Sequence, residues 1–276
     1  MKKILAAVDA LHFSEHELKS YKYIADKARG ELTILFLENI AGEAVQYAAL
    51  ESGALDYQAI IAESMEEREK KSKENKKRLQ DYYRDNGMDV TVREIPGVPL
   101  AEALEESRFA DLLLVRNDTT FTILTDSNPP RFVKDLLTQA QCPVMVIPET
   151  VHYFREILFS YNGTFSSTFA IRQFTQIFDS LSEVPVKVIY ITENDERKIP
   201  SGKLIKEYLN HHYEDVTYQS LEGKPAAELL AMTLHSTHGV ITLGAYGRSA
   251  ASRFFHRSEA EAILRTANIP VFITHP

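Results

Sequence analysis

Only one cysteine occurs among the 276 residues, which excludes an internal disulfide and any cysteine-rich zinc site. Cys142 stands beside Pro143 in an apolar run and reads as a buried structural residue. An excess of basic charge is missing too. With 31 Lys and Arg against 39 Asp and Glu the formal charge is -8, so the chain offers no basic field to a phosphate backbone, and no nucleic-acid partner is expected. Long apolar runs are also lacking. Met1-Lys2-Lys3 and the run Ile4 to Val8 imitate the opening of an export signal, but Asp9 ends the run. No segment reaches the ~18 apolar residues of a membrane span, and the expectation is a soluble, cytoplasmic protein with no membrane partner. Catalytic signatures are absent as well: no Gly-x-Ser-x-Gly elbow, no Cys-His pairing and no Gly-x-x-x-x-Gly-Lys-Ser/Thr loop. The carboxylates single out no acid-base pair, so no catalytic residue is assigned. His211-His212 and His235-x-x-His238 lack a third ligand, and no metal site is expected.

What the chain does contain is one layout written twice. Gly97-Val-Pro99-Leu-Ala101-Glu102 returns as Gly223-Lys-Pro225-Ala-Ala227-Glu228, each opening an apolar helical pattern. Apolar strands follow, Leu112 to Val115 and Val240 to Leu243. Each copy closes with a helix and a short strand, Leu136-Leu137 with Pro143-Val-Met-Val-Ile147, and Ile263-Leu264 with Pro270-Val-Phe-Ile273. The spacing predicts further strands over Ile4 to Val8, Leu32 to Leu37 and Val90 to Ile95 in the first copy. The second copy supplies Ile157 to Ser160, Val186 to Ile191 and Val216 to Leu221.

Apolar runs without alternation belong to parallel strands buried on both faces. The expected architecture is therefore two tandem, doubly wound α/β domains, each a five-stranded, mainly parallel sheet with helices on both faces. The boundary falls near Pro148 to Tyr153, giving domains over 1–149 and 153–276. Ligands in such sheets sit outside the carboxyl ends of the strands, where strand order reverses, so Asp9, Leu37, Tyr161, Ile191 and Gly244 mark the expected rims. Between two first-half strands, Ile60 to Arg84 reads as a solvated helix. It is laced by the i,i+4 pairs Glu66–Lys70, Glu67–Lys71, Glu69–Lys73 and Glu74–Arg78.

One junction carries the chemistry. Val240 to Leu243 runs into Gly244-Ala245-Tyr246-Gly247-Arg248, and nine residues after Gly247 come Arg257 and Ser258 at a helix start. Glycines after a strand let backbone N–H groups turn outward, and a helix N-terminus attracts an anion. Ser258-Glu259-Ala260-Glu261 also fits a capping box.

These two repeats, the Gly-x-x-Gly-nine-Arg-Ser spacing and the endings Ser258 to Arg265 and Pro270 to Ile273 resemble the universal stress protein family. The resemblance covers nearly the whole chain, as a tandem pair. ATP-binding members carry Gly, two residues, Gly, nine residues, then Gly with Ser or Thr, usually with an Asp ending the first strand. The resemblance thus implies a regulatory role in stress survival and an adenine nucleotide, ATP or another, with Mg2+ bridging the phosphates of a triphosphate. It implies no defined reaction beyond, at most, slow ATP hydrolysis. The matching site is Gly244, Ala245, Tyr246, Gly247, Arg248, Arg257, Ser258, Tyr161 and Ile191. Arg257 replaces the third glycine, and Tyr161-Asn162 stand where the Asp is expected, offering a ring to stack on a base and an amide to meet a sugar.

The first half shows the complementary loss. Asp9 is in place, but Asn117 and Thr120 replace the loop glycines, and Pro130-Arg131 replaces Gly-Ser with a residue that has no N–H. Asp9 is therefore a lesser candidate. Strands Val144 to Ile147 and Val271 to Ile273 match the family's association edge, which implies an internal pseudo-dimer of the two halves and admits a homodimer of chains. The competing reading is a scaffold or interaction module of the same fold that has given up nucleotide.

Overall fold

Each continuous apolar run becomes a strand, and successive side chains enter opposite cores. In β1 (Lys2–Asp9) Ile4, Ala6 and Val8 face one core while Leu5 and Ala7 face the other, all fully buried. The computed structural model describes residues 1–39, 57–88, 90–122, 125–193, 198–244 and 257–274, with the backbone alone for 57–64 and 257–259. The first half continues with α1 (Glu15–Ala28), β2 (Gly30–Asn39), α2 (Tyr57–Asp85), β3 (Thr91–Gly97), α3 (Pro99–Ser107), β4 (Leu112–Arg116), α4 (Arg131–Gln139) and β5 (Val144–Ile147). The second half runs β6 (Glu156–Ser160), α5 (Phe165–Ile177), β7 (Val186–Thr192), α6 (Gly202–Asn210), β8 (Val216–Glu222), α7 (Pro225–His235), β9 (Gly239–Leu243), α8 (Arg257–Thr266) and β10 (Val271–Ile273). The ten strands fall within two residues of the predicted ends.

The halves do not keep separate sheets. Strand order is β3-β2-β1-β4-β5-β10-β9-β6-β7-β8, one ten-stranded sheet in which every pairing is parallel except β5 with β10. That seam aligns Val144 with Ile273 and Val146 with Val271, so the two closing strands consume each other's free edge. Because the seam is antiparallel, the carboxyl ends of the two halves open on opposite edges of the sheet. Each half reverses its strand order once, between β1 and β4 and between β6 and β9.

Both cores run through both halves. On one face Tyr21, Tyr83 and Met145 share a cluster with Phe174, Phe178 and Phe272; on the other Leu136 and Val144 share one with Leu229, Ile263 and Val271. Phe272 meets the rings of Phe174 at 5.3 Å and Phe178 at 6.4 Å. Polar ties join the halves outside the sheet: the Tyr23 hydroxyl accepts from Phe154 N at 2.7 Å, and Lys2 Nζ lies 2.6 Å from Asp179. Cys142 is buried, and burial pushes its thiol up to about 12, in keeping with a structural position. Among the described residues no helix is long and apolar enough to cross a membrane.

The reading of α2 as a solvated helix needs correction. Leu79 and Tyr83 are fully buried, and the Tyr83 hydroxyl donates to Leu18 O at 3.1 Å. The predicted Glu69–Lys73 pair forms. Lys71 and Arg78, however, turn toward the loop after β1: Lys71 Nζ reaches His12 Nε2 at 3.3 Å, and Arg78 lies over the Phe13 ring at 5.0 Å and near Glu15 at 3.8 Å. A stripe of two large side chains spaced i,i+4 was hidden among the charges.

Candidate functional site

In the second half the chain closes its own rim around the end of β6. Asn162 Oδ1 accepts from Thr164 N at 2.9 Å and from Thr164 Oγ1 at 2.6 Å, a local turn that leads into α5 with Thr164 as its N-cap. The Tyr161 ring belongs to the core at 2% exposure, and its phenol donates to Pro200 O at 3.0 Å. It is therefore no platform for a base, which corrects that suggestion from the sequence, while Asn162 spends its Oδ1 on the turn. Gly163 has φ +78°, and a Cβ there would lie 2.4 Å from Pro200 Cβ, so the segment before α6 presses directly on the rim. A cavity of about 500 Å³ beside it is lined by Lys198 to Leu204 with Tyr190.

Gly244, just past β9, is required for a close approach: a Cβ would stand 3.0 Å from Ser166 C and Ser167 N in the first turn of α5. That helix start holds no acidic residue in its first turn. Ile191 is buried near the end of β7. Ala245, Tyr246, Gly247 and Arg248 lie outside the described residues. Arg257 and Ser258 fall in the first turn of α8, their side chains outside the description. The helix begins two residues earlier than a capping box on Ser258 requires.

The first half presents the opposite picture, a charged cavity of about 790 Å³ at the β1/β4 reversal. Asp9 lines it. Its carboxylate accepts from Leu11 N at 2.8 Å and meets His12 Nδ1 at 3.0 Å; burial raises its pKa, and those hydrogen bonds oppose the rise. Deeper lies Glu17, 3% exposed, in a capping box with Ser14 at the start of α1. The Tyr21 hydroxyl donates to Glu17 at 2.8 Å and Arg116 stands 4.0 Å away, yet burial dominates and lifts the Glu17 carboxyl to about 7. Arg116 ends β4, donates to Ser14 Oγ at 3.0 Å and grips Asp118 through Nε and Nη2. Asn75 of α2 ties the loop down by donating to Ala10 O at 2.9 Å and Leu11 O at 3.1 Å.

Where a phosphate loop would meet a helix, this half supplies its own anion. The Asp126 carboxylate accepts from Ser127 N at 2.7 Å, from Arg131 N at 3.3 Å and from Thr120 Oγ1 at 2.8 Å, which satisfies the start of α4. Burial alone would raise its pKa, but the hydrogen bonds from Thr120, Ser127 and Arg131 outweigh it and hold the carboxyl below its usual range. Glu17, Arg116, Asp126 and Pro200 were all missed from the sequence. Only Glu17 left a signal, the Ser14-x-x-Glu17 capping pattern.

Two parallel α/β units, each with a rim at its strand reversal and joined edge to edge, define a tandem fold of the doubly wound class. No protein-family model matches the chain, and neither does any curated protein. Among solved structures it is similar to a universal stress protein from Archaeoglobus fulgidus DSM 4304, at TM-score 0.72 and 18% identity, over 99% of this chain and 98% of that one. It is also similar to a functionally unknown protein from Pseudomonas aeruginosa PAO1, at TM-score 0.59 and 15% identity, covering 100% of this chain and 92% of that one. The chain has the fold of the universal stress proteins in its tandem form.

Proposed function

We propose that the protein is a regulatory, stress-response binding protein of the cytoplasm that takes an adenine nucleotide, ATP or another, at the rim of its second half. The observation that carries this reading is the contact at Gly244. The end of β9 is held against a helix start free of acidic side chains, and the chain from there leads to the first turn of α8, where Arg257 and Ser258 stand. In this reading backbone N–H groups of Gly244 to Gly247 and the cations Arg248 and Arg257 hold the phosphates, with Mg2+ accompanying a triphosphate. Hydrolysis is not part of the proposal, since no base is assigned.

Calorimetry of the intact chain with millimolar ATP, ADP and AMP is the test. Saturable heat that disappears in Gly247→Asp is expected, and no heat from any of the three nucleotides rejects the reading.

A second reading, a scaffold without nucleotide, is favoured by one observation: Tyr161 and Gly163 are locked against Pro200, where a ligand would need room. The same titration separates the two, because a scaffold returns the heat of dilution alone.

A further inference from the structure

The first-half cavity is built from four separate stretches of chain, Asn39 at the end of β2 among them, and its three carboxylates and three cations are unequally engaged. Asp9, His12, Phe13 and Ser14 come from the loop after β1, Lys71, Asn75 and Arg78 from α2, and Arg116 with Thr119 to Thr122 from the end of β4. Asp118 is neutralised by the two-pronged grip of Arg116, and Asp9 is engaged by His12 and a backbone N–H. Glu17 lies on the floor beneath Tyr21 and Arg116. Lys71 and Arg78 remain at the mouth, both exposed, facing an imidazole and an aromatic ring, with Glu15 at 3.8 Å from Arg78. Leu11, Phe13 and Phe121 give the same cavity apolar walls, and Phe121 is braced by Phe132 at 4.7 Å.

We propose that this cavity binds a small amphipathic organic anion, with its carboxylate or sulfonate against Lys71 and Arg78 and its apolar body against Phe13 and Phe121. A polyphosphate does not fit the same place. The start of α4 already holds the Asp126 carboxylate, and Pro130 offers no N–H. The cavity is thus a ligand site separate from the nucleotide rim, and on the opposite edge of the sheet.

The experiment is a fluorescence titration of the intact chain with 8-anilinonaphthalene-1-sulfonate, an aromatic sulfonate that brightens when its rings leave water. Saturable binding at one site per chain is expected, unchanged by millimolar ATP and retained in Gly247→Asp. The double variant Lys71→Glu with Arg78→Glu is expected to weaken it at least tenfold, and Lys71→Gln with Arg78→Gln by a smaller factor. Circular dichroism and a melting curve establish that each variant is folded. Equal affinity in a folded charge-reversed variant, absence of a saturable site, or displacement by ATP overturns the proposal. Loss of ATP heat with this site intact bears on the nucleotide reading alone.

Discussion

The two rims are built from the same scaffold and closed by opposite means. In the first half charged side chains surround an open cavity, and a carboxylate of the chain, Asp126, occupies the helix start where an outside anion would bind. In the second half no acid stands in the first turn of α5; closure comes from Pro200, pressed against Gly163 and bonded by Tyr161. The strands beneath differ little, since in each half the inner strands are buried on two faces, the outermost strand is exposed, and the internal order is the same. The core constrains every position that packs, whereas the rim constrains only residues that meet a ligand or replace one.

The sharpest way to break the comparison is to attack what the halves share. Phe272→Ala removes a fully buried ring from the cluster it forms with Phe174 and Phe178, and a loss of about 3–5 kcal/mol is expected. Chemical denaturation with probes in each half should show both halves losing stability together; a loss confined to the second half would show that the seam does not couple them.

A smaller effect tests the floor of the first cavity. The Glu17 carboxyl is raised to about 7 in the folded chain, against 4.5 as its ordinary value. Between those values the folded state holds a proton that the unfolded state has lost, so stability falls as pH rises through this window and is level above it. Glu17→Gln should flatten that slope, a difference on the order of 3 kcal/mol in unfolding free energy across the window. An unchanged slope would mean that Glu17 is ionised at ordinary cost.

Smallest is the cap. Asp126→Ala should cost about 1 kcal/mol by unfolding titration, with the loss screened little by salt because the contacts are hydrogen bonds to backbone N–H. A variant as stable as the parent would show that the start of α4 finds other partners.

Much of the fold was legible from the sequence because parallel strands announce themselves as unbroken apolar runs, and a layout written twice announces its repeat. The contents of the rims were less so. Tyr161 read as a ring for stacking on a base because nothing local reveals that Pro200, 39 positions later, takes its hydroxyl. The charged face of α2 read as solvent-facing because i,i+4 pairing within a helix looks the same whether or not another segment lies over it. Asp126 went unnoticed as a cap because its contact with Arg131 spans five residues and two prolines, a path with no fixed spacing to read. Asp9 was the exception: its position at the end of β1 was readable, although the charged company it keeps was not.

The antiparallel seam between β5 and β10 also changes the arithmetic of assembly. Two separate subunits joined by such an edge would part on dilution, and a mixture of variants would exchange partners. Here the partner is covalently supplied, so the pairing is unimolecular and independent of protein concentration. Every copy of the self-capped rim is delivered with one copy of the glycine-bearing rim, in a fixed ratio of one to one.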